Sequence, residues 1–248
     1  MRRVRINRFF TQQGLEPESE LALETSISRH LGRVLRARAG DTVTLFNGDG
    51  HNYTASVISI SKDVVTVHIQ QREPCLTESP VAVTLGLALS KGDRFDWAIQ
   101  KATELGVSAI APLFTERVDF PVPEDRLSRR MAHWQQIVIS ACEQSGRARV
   151  PTVFAPQALA SWCESVDAEA KYILDLEQDH QDQRSTPPSS LALLVGPEGG
   201  LTSSEIRMAT QLGFHRLRLG PRVLRTETAP VVALSILGAR WGDLGSTL

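Results

Sequence analysis

Cysteine is scarce and scattered in this 248-residue chain, with Cys75, Cys142 and Cys163 standing far apart. Neither a disulfide framework nor a zinc site has the spacing it needs, which fits a reducing cytoplasm. The histidines, at 30, 51, 68, 133, 180 and 215, are equally dispersed, so no metal is expected. No apolar run approaches the length of a membrane span, and the amino-terminal arginines lack an apolar stretch behind them. The chain therefore reads as soluble, unexported and cytoplasmic. G-x-G-x-x-G is missing, no Lys-Ser/Thr closes a glycine loop, and no G-x-S-x-G elbow occurs. Dinucleotide, P-loop and serine-nucleophile readings fall away. Net charge is also nearly absent, at -1, which argues against a uniformly basic nucleic-acid binder.

What the chain does have is two glycine-proline loops on adjoining strands near the carboxy end, LLVGPEGGLTSSE (193–205) and LRLGPRVLRTETA (217–229). The apolar run 191–195 is short and unbroken, as in a strand buried on both faces of a parallel sheet. Gly196 and Pro197 stop it. Gly199 and Gly200 let a ligand approach the main chain closely, and Thr202 with Glu205 forms a capping box that starts a helix. The second loop carries Arg222, Arg225, Thr226, Glu227 and Thr228. Thr228 is the expected N-cap of the terminal helix, with Pro230 in its first turn. Repetition of strand, loop and helix puts both loops at the carboxyl end of one sheet, where open α/β folds bind ligands. Such backbone suits a neutral, planar, hydrogen-bonding ligand such as adenine, and Glu198 suits a nearby positive centre.

Strands alternating with helices predict a parallel α/β sheet from residue 81 onward: strands at 81–89, 107–114 and 172–176, helices at 93–105 and 124–145. Gly106 is expected to end the first of these helices as its C′ residue. Upstream, short β-branched runs at 42–46, 51–60 and 64–70 and a helix at 26–38 predict a small barrel, PUA-like or OB-type, of a size that serves as an RNA-binding module. A linker is expected at 73–80. Residues 1–72 hold 10 Lys+Arg against 7 Asp+Glu, and eight of those basic residues are arginines within the first 38 positions. Either they form a solvated face or they hold phosphates. Glu143, with Gln144 and Arg147, is either an exposed helix charge or part of an interface or site. Lys91 follows a strand end and is a weaker substrate-facing candidate. Trp134 and Trp241 read as packing residues.

GPEGGL (196–201) and LGPRVLRTETA (219–229) resemble the two signature motifs of the RsmE family, 16S rRNA uridine N3-methyltransferases of the SPOUT, or trefoil-knot, superfamily. LSKGDRFDWAIQKATELGV (89–107), ACEQSGRARVP (141–151), MRRVRINRFF and HLGRVLRARAGD (30–41) extend the likeness over nearly the whole chain. The resemblance implies an α/β, trefoil-knotted, parallel-sheet methyltransferase domain at 81–248 behind a PUA-like β-barrel at 1–72. It implies S-adenosylmethionine as cofactor, 16S rRNA in the 30S subunit as partner, and a homodimer. The cofactor pocket would comprise Leu194, Val195, Gly196, Pro197, Gly199, Gly200, Leu219, Gly220, Arg222, Leu224, Thr226 and Thr228. Arg225 is the chosen catalytic cation, and Glu198 either accepts a proton or only positions its loop. RNA contacts fall to Arg2, Arg3, Arg5, Arg8, Arg33, Arg36 and Arg38. Two rivals stand beside this reading: a SPOUT ribose 2′-O-methyltransferase, and a non-catalytic ribosome-assembly protein that binds RNA. Pro230 after TETA departs from the family's usual form.

Overall fold

The computed structural model describes residues 7–117, 124–177 and 186–245. The chain divides into two compact units. One holds residues through Glu78 together with Cys142–Val150; the other holds Ser79–Ala141 and Pro151–Leu248.

The first unit is a five-stranded sheet built from β1 (Arg8–Phe10), β2 (Ser19–Ala22), β3 (Thr42–Phe46), β4 (His51–Ile60) and β5 (Val65–Pro74). Their order is β1-β3-β4-β5-β2, antiparallel except for the β1–β3 pair. Register shifts at Thr54/Ala55 and Val57/Ser59 bend the long β4–β5 ribbon. Leu31, Leu45, Val65, Val67 and Ile69 fill the interior and exclude water completely. The expected helix at 26–38 is shorter and of mixed kind: α1 (Thr25–Arg29) widens into a π-turn over His30–Val34, with the Leu35 N–H donating to the His30 carbonyl at 3.0 Å. That extra residue per turn breaks the 3.6-residue phase. Val34, counted on the apolar face, stands 67% exposed as a result.

Along the chain, the first boundary between the units falls between Glu78 and Ser79, within the expected 73–80 linker. β5 runs on to Pro74, and the sequence 142–150 returns to the first unit. Glu78 holds it there. Its carboxylate accepts from the Arg147 guanidinium (2.8 and 3.1 Å) and from the backbone N–H groups of Ala148 (3.0 Å) and Arg149 (2.9 Å). Phe46, Cys142 and Ala148 pack together beside this anchor.

The second unit is a parallel α/β sheet, as the alternation predicts. Its strands are β6 (Ala82–Ala88), β7 (Ala109–Phe114), β8 (Thr152–Val153), β9 (Gln157–Ala158), β10 (Ala170–Leu174), β11 (Ser190–Val195) and β12 (His215–Leu217). The order is β12-β10-β11-β6-β7-β8, with β9 also on β7, and every pair is parallel. The helices are α2 (Arg94–Glu104), α3 (Glu124–Ser145, whose residues from Cys142 onward belong to the first unit), α4 (Leu159–Ser165), α5 (Ser203–Gln211) and α6 (Thr228–Trp241). Gly106, at φ +89°, does end α2 as a C′ residue, its N–H donating to the Thr103 carbonyl. Trp134 packs on Phe95, and Trp241 stacks on Tyr172, both as core residues. At Gly86, on the central strand β6, a Cβ would stand 2.4 Å from the Trp162 ring, so α4 closes directly on the sheet.

Candidate active site

The two glycine-proline loops follow β11 and β12. These strands are not neighbours: β10 lies between them and pairs with both. The carboxyl end of β10 therefore joins the loops, and Leu174, Asp175 and Leu176 line the same hollow. Because the whole sheet is parallel, the segments after β6 and β7 open on that edge too, and they contribute Arg94 and Arg117. The result is a cavity of about 690 Å³.

Each loop has a local cause. Pro197 accepts from the Gly200 N–H at 2.9 Å, which makes a tight turn with Glu198 and Gly199 at its tip. Gly200 sits at φ +70° and Gly220 at +102°, angles that favour glycine. A Cβ on Gly196 would meet Leu201 at 2.9 Å, so only hydrogen fits there. The predicted capping box at α5 is present. Thr202 Oγ1 accepts from the Glu205 N–H at 3.2 Å, and Glu205 returns the bond to the Thr202 N–H at 2.7 Å. Glu205 also accepts the Glu116 N–H at 2.8 Å, tying the segment after β7 to this turn.

The capping of α6 differs from expectation. Glu227 is the N-cap, and Thr228 is already inside the helix. The Arg225 carbonyl accepts from both Thr228 and Ala229, which starts the helical turn one residue early. Pro230 still falls in the first turn, where its missing N–H has no intrahelical partner to lose.

All the expected pocket residues line the cavity except Leu194 and Thr228. Leu194 is wholly buried in the core with Ile173, Ala192 and Phe214. Arg225 and Glu198 both line it. The charges inside are mostly committed. Arg94 donates to Glu198 at 2.8 Å, Arg117 donates to the Gly199 carbonyl at 2.6 Å, and Arg216 pairs with Asp175 at 3.5 Å. Arg222, Arg225 and Glu227 have no side-chain partner among the described residues. The sequence reading missed Arg94, Arg117 and Asp175, which strand order brings in from outside the two motifs, and it could not show that the Glu227 carboxylate within the second motif stands unpartnered among the described residues.

Other candidates resolve differently. Glu143 is neither an exposed charge nor part of the cavity: its Oε1 accepts the Phe10 N–H at 3.1 Å within the first unit. Burial pushes its carboxyl above the usual range, against that hydrogen bond and the charges of His30 and Arg8. Arg147 is buried on Glu78. Lys91 is exposed and does not line the cavity. Burial raises the Cys142 and Cys163 thiols to about 12, so neither is a ready nucleophile. No cluster of three potential metal ligands occurs among the described residues.

Of the arginines assigned to RNA, Arg2, Arg3 and Arg5 lie outside the described residues. Arg8 is committed internally, which removes it from a phosphate-facing set. Its guanidinium donates to Asn52 (2.7 Å) and to the Arg147 carbonyl (3.0 Å) and lies 5.0 Å over the Phe46 ring. Arg33, Arg36 and Arg38 are exposed, and Arg33 shares Asp63 with Arg29.

Comparison with known proteins agrees with this architecture. Residues 77–238 match the family model of an RNA methyltransferase domain, and residues 23–70 match that of an RNA methyltransferase PUA domain. The ribosomal RNA small subunit methyltransferase E of Buchnera aphidicola is 31% identical over 97% of this chain and 98% of its own. The chain belongs to the ribosomal RNA small subunit methyltransferase E family. Among solved members of the RsmE family, the Neisseria gonorrhoeae enzyme bound to S-adenosyl methionine is 38% identical. It superposes with a TM-score of 0.90, over 96% of this chain and 99% of its own. A Legionella pneumophila methyltransferase in complex with the bound cofactor SAM is 40% identical, with a TM-score of 0.91 over 97% and 100% of the two chains. The amino-terminal unit of this RsmE-family chain is thus PUA-like rather than OB-type, and its carboxy-terminal unit has the SPOUT α/β fold.

Proposed function

We propose that this chain methylates N3 of a uridine in 16S rRNA of the 30S subunit, using S-adenosylmethionine held between the 196–201 and 219–229 loops. The trefoil threading of the last helix, a homodimer and a cytoplasmic setting belong to the same reading. The residues present fit the cofactor. Leu174, Leu176, Val195, Leu217 and Leu219 offer apolar walls to a purine, and the glycine turns bring backbone amides and carbonyls within reach of its edges. The cofactor supplies a methyl group on a sulfonium, which is a good leaving group.

The chain's own residues must make N3 a nucleophile. Uridine N3 carries an imide proton that is lost well above neutrality, and its removal places negative charge on O2 and O4. A fixed cation facing those oxygens lowers the barrier. Arg225 supports this reading most strongly: it lines the cavity, is exposed to it, and is bound to no carboxylate among the described residues. Guanidinium keeps its charge at any physiological pH. The alignment of N3 with the methyl carbon then depends on the loops holding both partners. Of the RNA-facing set, exposed Arg33, Arg36 and Arg38 suit phosphate contacts, which position substrate without reading its sequence.

Mass-spectrometric mapping of rRNA bases from cells with and without the protein tests the function. Loss of one 3-methyluridine from 16S rRNA is expected. Loss of a ribose 2′-O-methyl group instead, or no change, would overturn the proposal.

A further inference from the structure

Glu198 is the acid that the loop motif offers as a proton acceptor, yet its carboxylate is held by Arg94 at 2.8 Å. One of its oxygens is therefore already occupied by a guanidinium and is not open to a substrate donor. A second acid lines the same cavity in the opposite condition. Glu227 Oε2 is buried and meets no hydrogen-bond donor among the described residues.

Two ordinary explanations for Glu227 fail on the geometry. As the N-cap of α6 it could accept from the first-turn amides, but it makes no capping hydrogen bond; Thr228 and Ala229 donate to the Arg225 carbonyl instead. As the partner of Arg225 it would form a surface ion pair, and none forms. A buried acceptor left without a donor costs about 1–3 kcal/mol, and more when it is charged. Such a group calls for a partner, and one on a cavity wall can take it from water, a ligand or a reacting group.

We infer that Glu227, rather than Glu198, takes the N3 proton of the acceptor uracil, with Arg225 beside it holding the ring oxygen. This rests on the proposed uridine N3 reaction. The imide edge of uracil presents acceptor, donor, acceptor in a row: O2, N3–H, O4. A carboxylate and a guanidinium two residues apart, both free and both on the cavity wall, match a donor and the acceptor next to it. The N3 proton passes to Glu227, and the resulting charge spreads over N3, O2 and O4 against Arg225. The N3 electron pair then forms the new N3–C bond as the S–CH3 bond breaks, leaving its electrons on sulfur as a neutral thioether. Glu227 releases the proton to water. The departing proton and the arriving carbon share one in-plane direction at N3, so proton removal comes first.

The test compares Glu227→Gln, Glu227→Asp and Glu198→Gln in the full-length protein with 30S subunits as substrate. Three readouts are taken: the single-turnover rate against pH, calorimetric affinity for S-adenosylmethionine, and melting of the free protein. For Glu227→Gln the rate at pH 7 is expected to fall by about 10²–10⁴-fold and to recover as pH rises and uracil ionises unaided. Cofactor affinity stays within about threefold, and the melting temperature does not drop, since the change removes the charge of a half-buried carboxylate without removing a bond. Glu227→Asp keeps an acid, so its rate falls less and its pH profile keeps the wild-type shape. Glu198→Gln slows the reaction by loosening its loop and also leaves the profile's shape unchanged. A Glu227→Gln enzyme with the wild-type rate, or with a loss that alkaline pH does not restore, overturns the assignment while the uridine reaction stands. If that variant fails to fold, a changed profile shape in Glu227→Asp overturns it. A wild-type protein that binds no S-adenosylmethionine or forms no 3-methyluridine overturns both.

Discussion

Two residues show how burial and pairing decide roles that residue type leaves open. Arg225 is exposed in the cavity without a carboxylate partner among the described residues, so its charge is available to a substrate. Arg225→Ala should lower the methylation rate by roughly 10²–10³-fold, the usual effect of removing a fixed group that stabilises developing negative charge. Affinity for S-adenosylmethionine, measured by calorimetry, should hold within about threefold; an unchanged rate would remove Arg225 from the reaction. Glu143 is the opposite case, a charge enclosed by its own unit. Burial raises its carboxyl, opposed by the Phe10 N–H and by His30 and Arg8. The folded state therefore keeps this proton at pH values where the unfolded chain has lost it. Its stabilising contribution is complete below the ordinary glutamate range and declines as pH rises through the raised folded value. Glutamine retains an oxygen for the Phe10 N–H and has no charge to bury. Glu143→Gln should thus melt no lower than the wild type at pH 7, with any gain vanishing under acid conditions. A lower melting temperature at pH 7 would mean that the ionised form is the stabilising one.

Elements differ in how much of their geometry is local. The α5 start was legible in the sequence because Thr202 and Glu205 meet within one turn, and Gly106 was legible because a C′ position favours positive φ. The π-turn at His30–Val34 was not, since the apolar spacing at 27, 31, 34 and 35 fits an ordinary helix equally well. Nor was the place of β10 between β11 and β12, because strand order depends on long-range pairing that no short motif carries. The cavity was accordingly half legible. The two motif loops were visible, whereas Arg94, Arg117 and Asp175 arrive from other strand ends. Glu205 joins the two kinds of information, for it caps α5 and also holds the Glu116 N–H. Glu205→Ala removes a capping partner and leaves that amide without its acceptor, which should cost roughly 2–4 kcal/mol in denaturant unfolding. Because the same turn shapes the cavity wall, cofactor affinity should also weaken by about tenfold or more, a drop of about 1.4 kcal/mol. A variant that lost stability but bound S-adenosylmethionine as tightly as the parent would show that the cap and the wall are independent.

At the scale of the whole molecule, chain order and structural unit part company. ACEQSGRARVP lies in sequence among the segments of the methyltransferase domain, yet residues 142–150 serve the amino-terminal unit, where Glu78 receives them. Composition could not reveal this. The anchor is one acid meeting a backbone segment about 70 positions away, with Arg147 only 4% exposed beneath it. Deleting one partner of a buried ion pair typically costs about 3–5 kcal/mol. Glu78→Ala also removes the acceptor of the Ala148 and Arg149 amides, so its penalty should fall in the upper part of that range. Glu78→Gln keeps one oxygen for those amides and should lose less. The effect should be confined to one unit. Hydrogen exchange is expected to speed up in the amides of β3, β4 and β5, while those of β6, β10 and β11 in the parallel sheet keep their protection. If the β4 and β5 amides of Glu78→Ala exchanged at the parental rate, the returning segment would be a passenger on the sheet and not a part of its core.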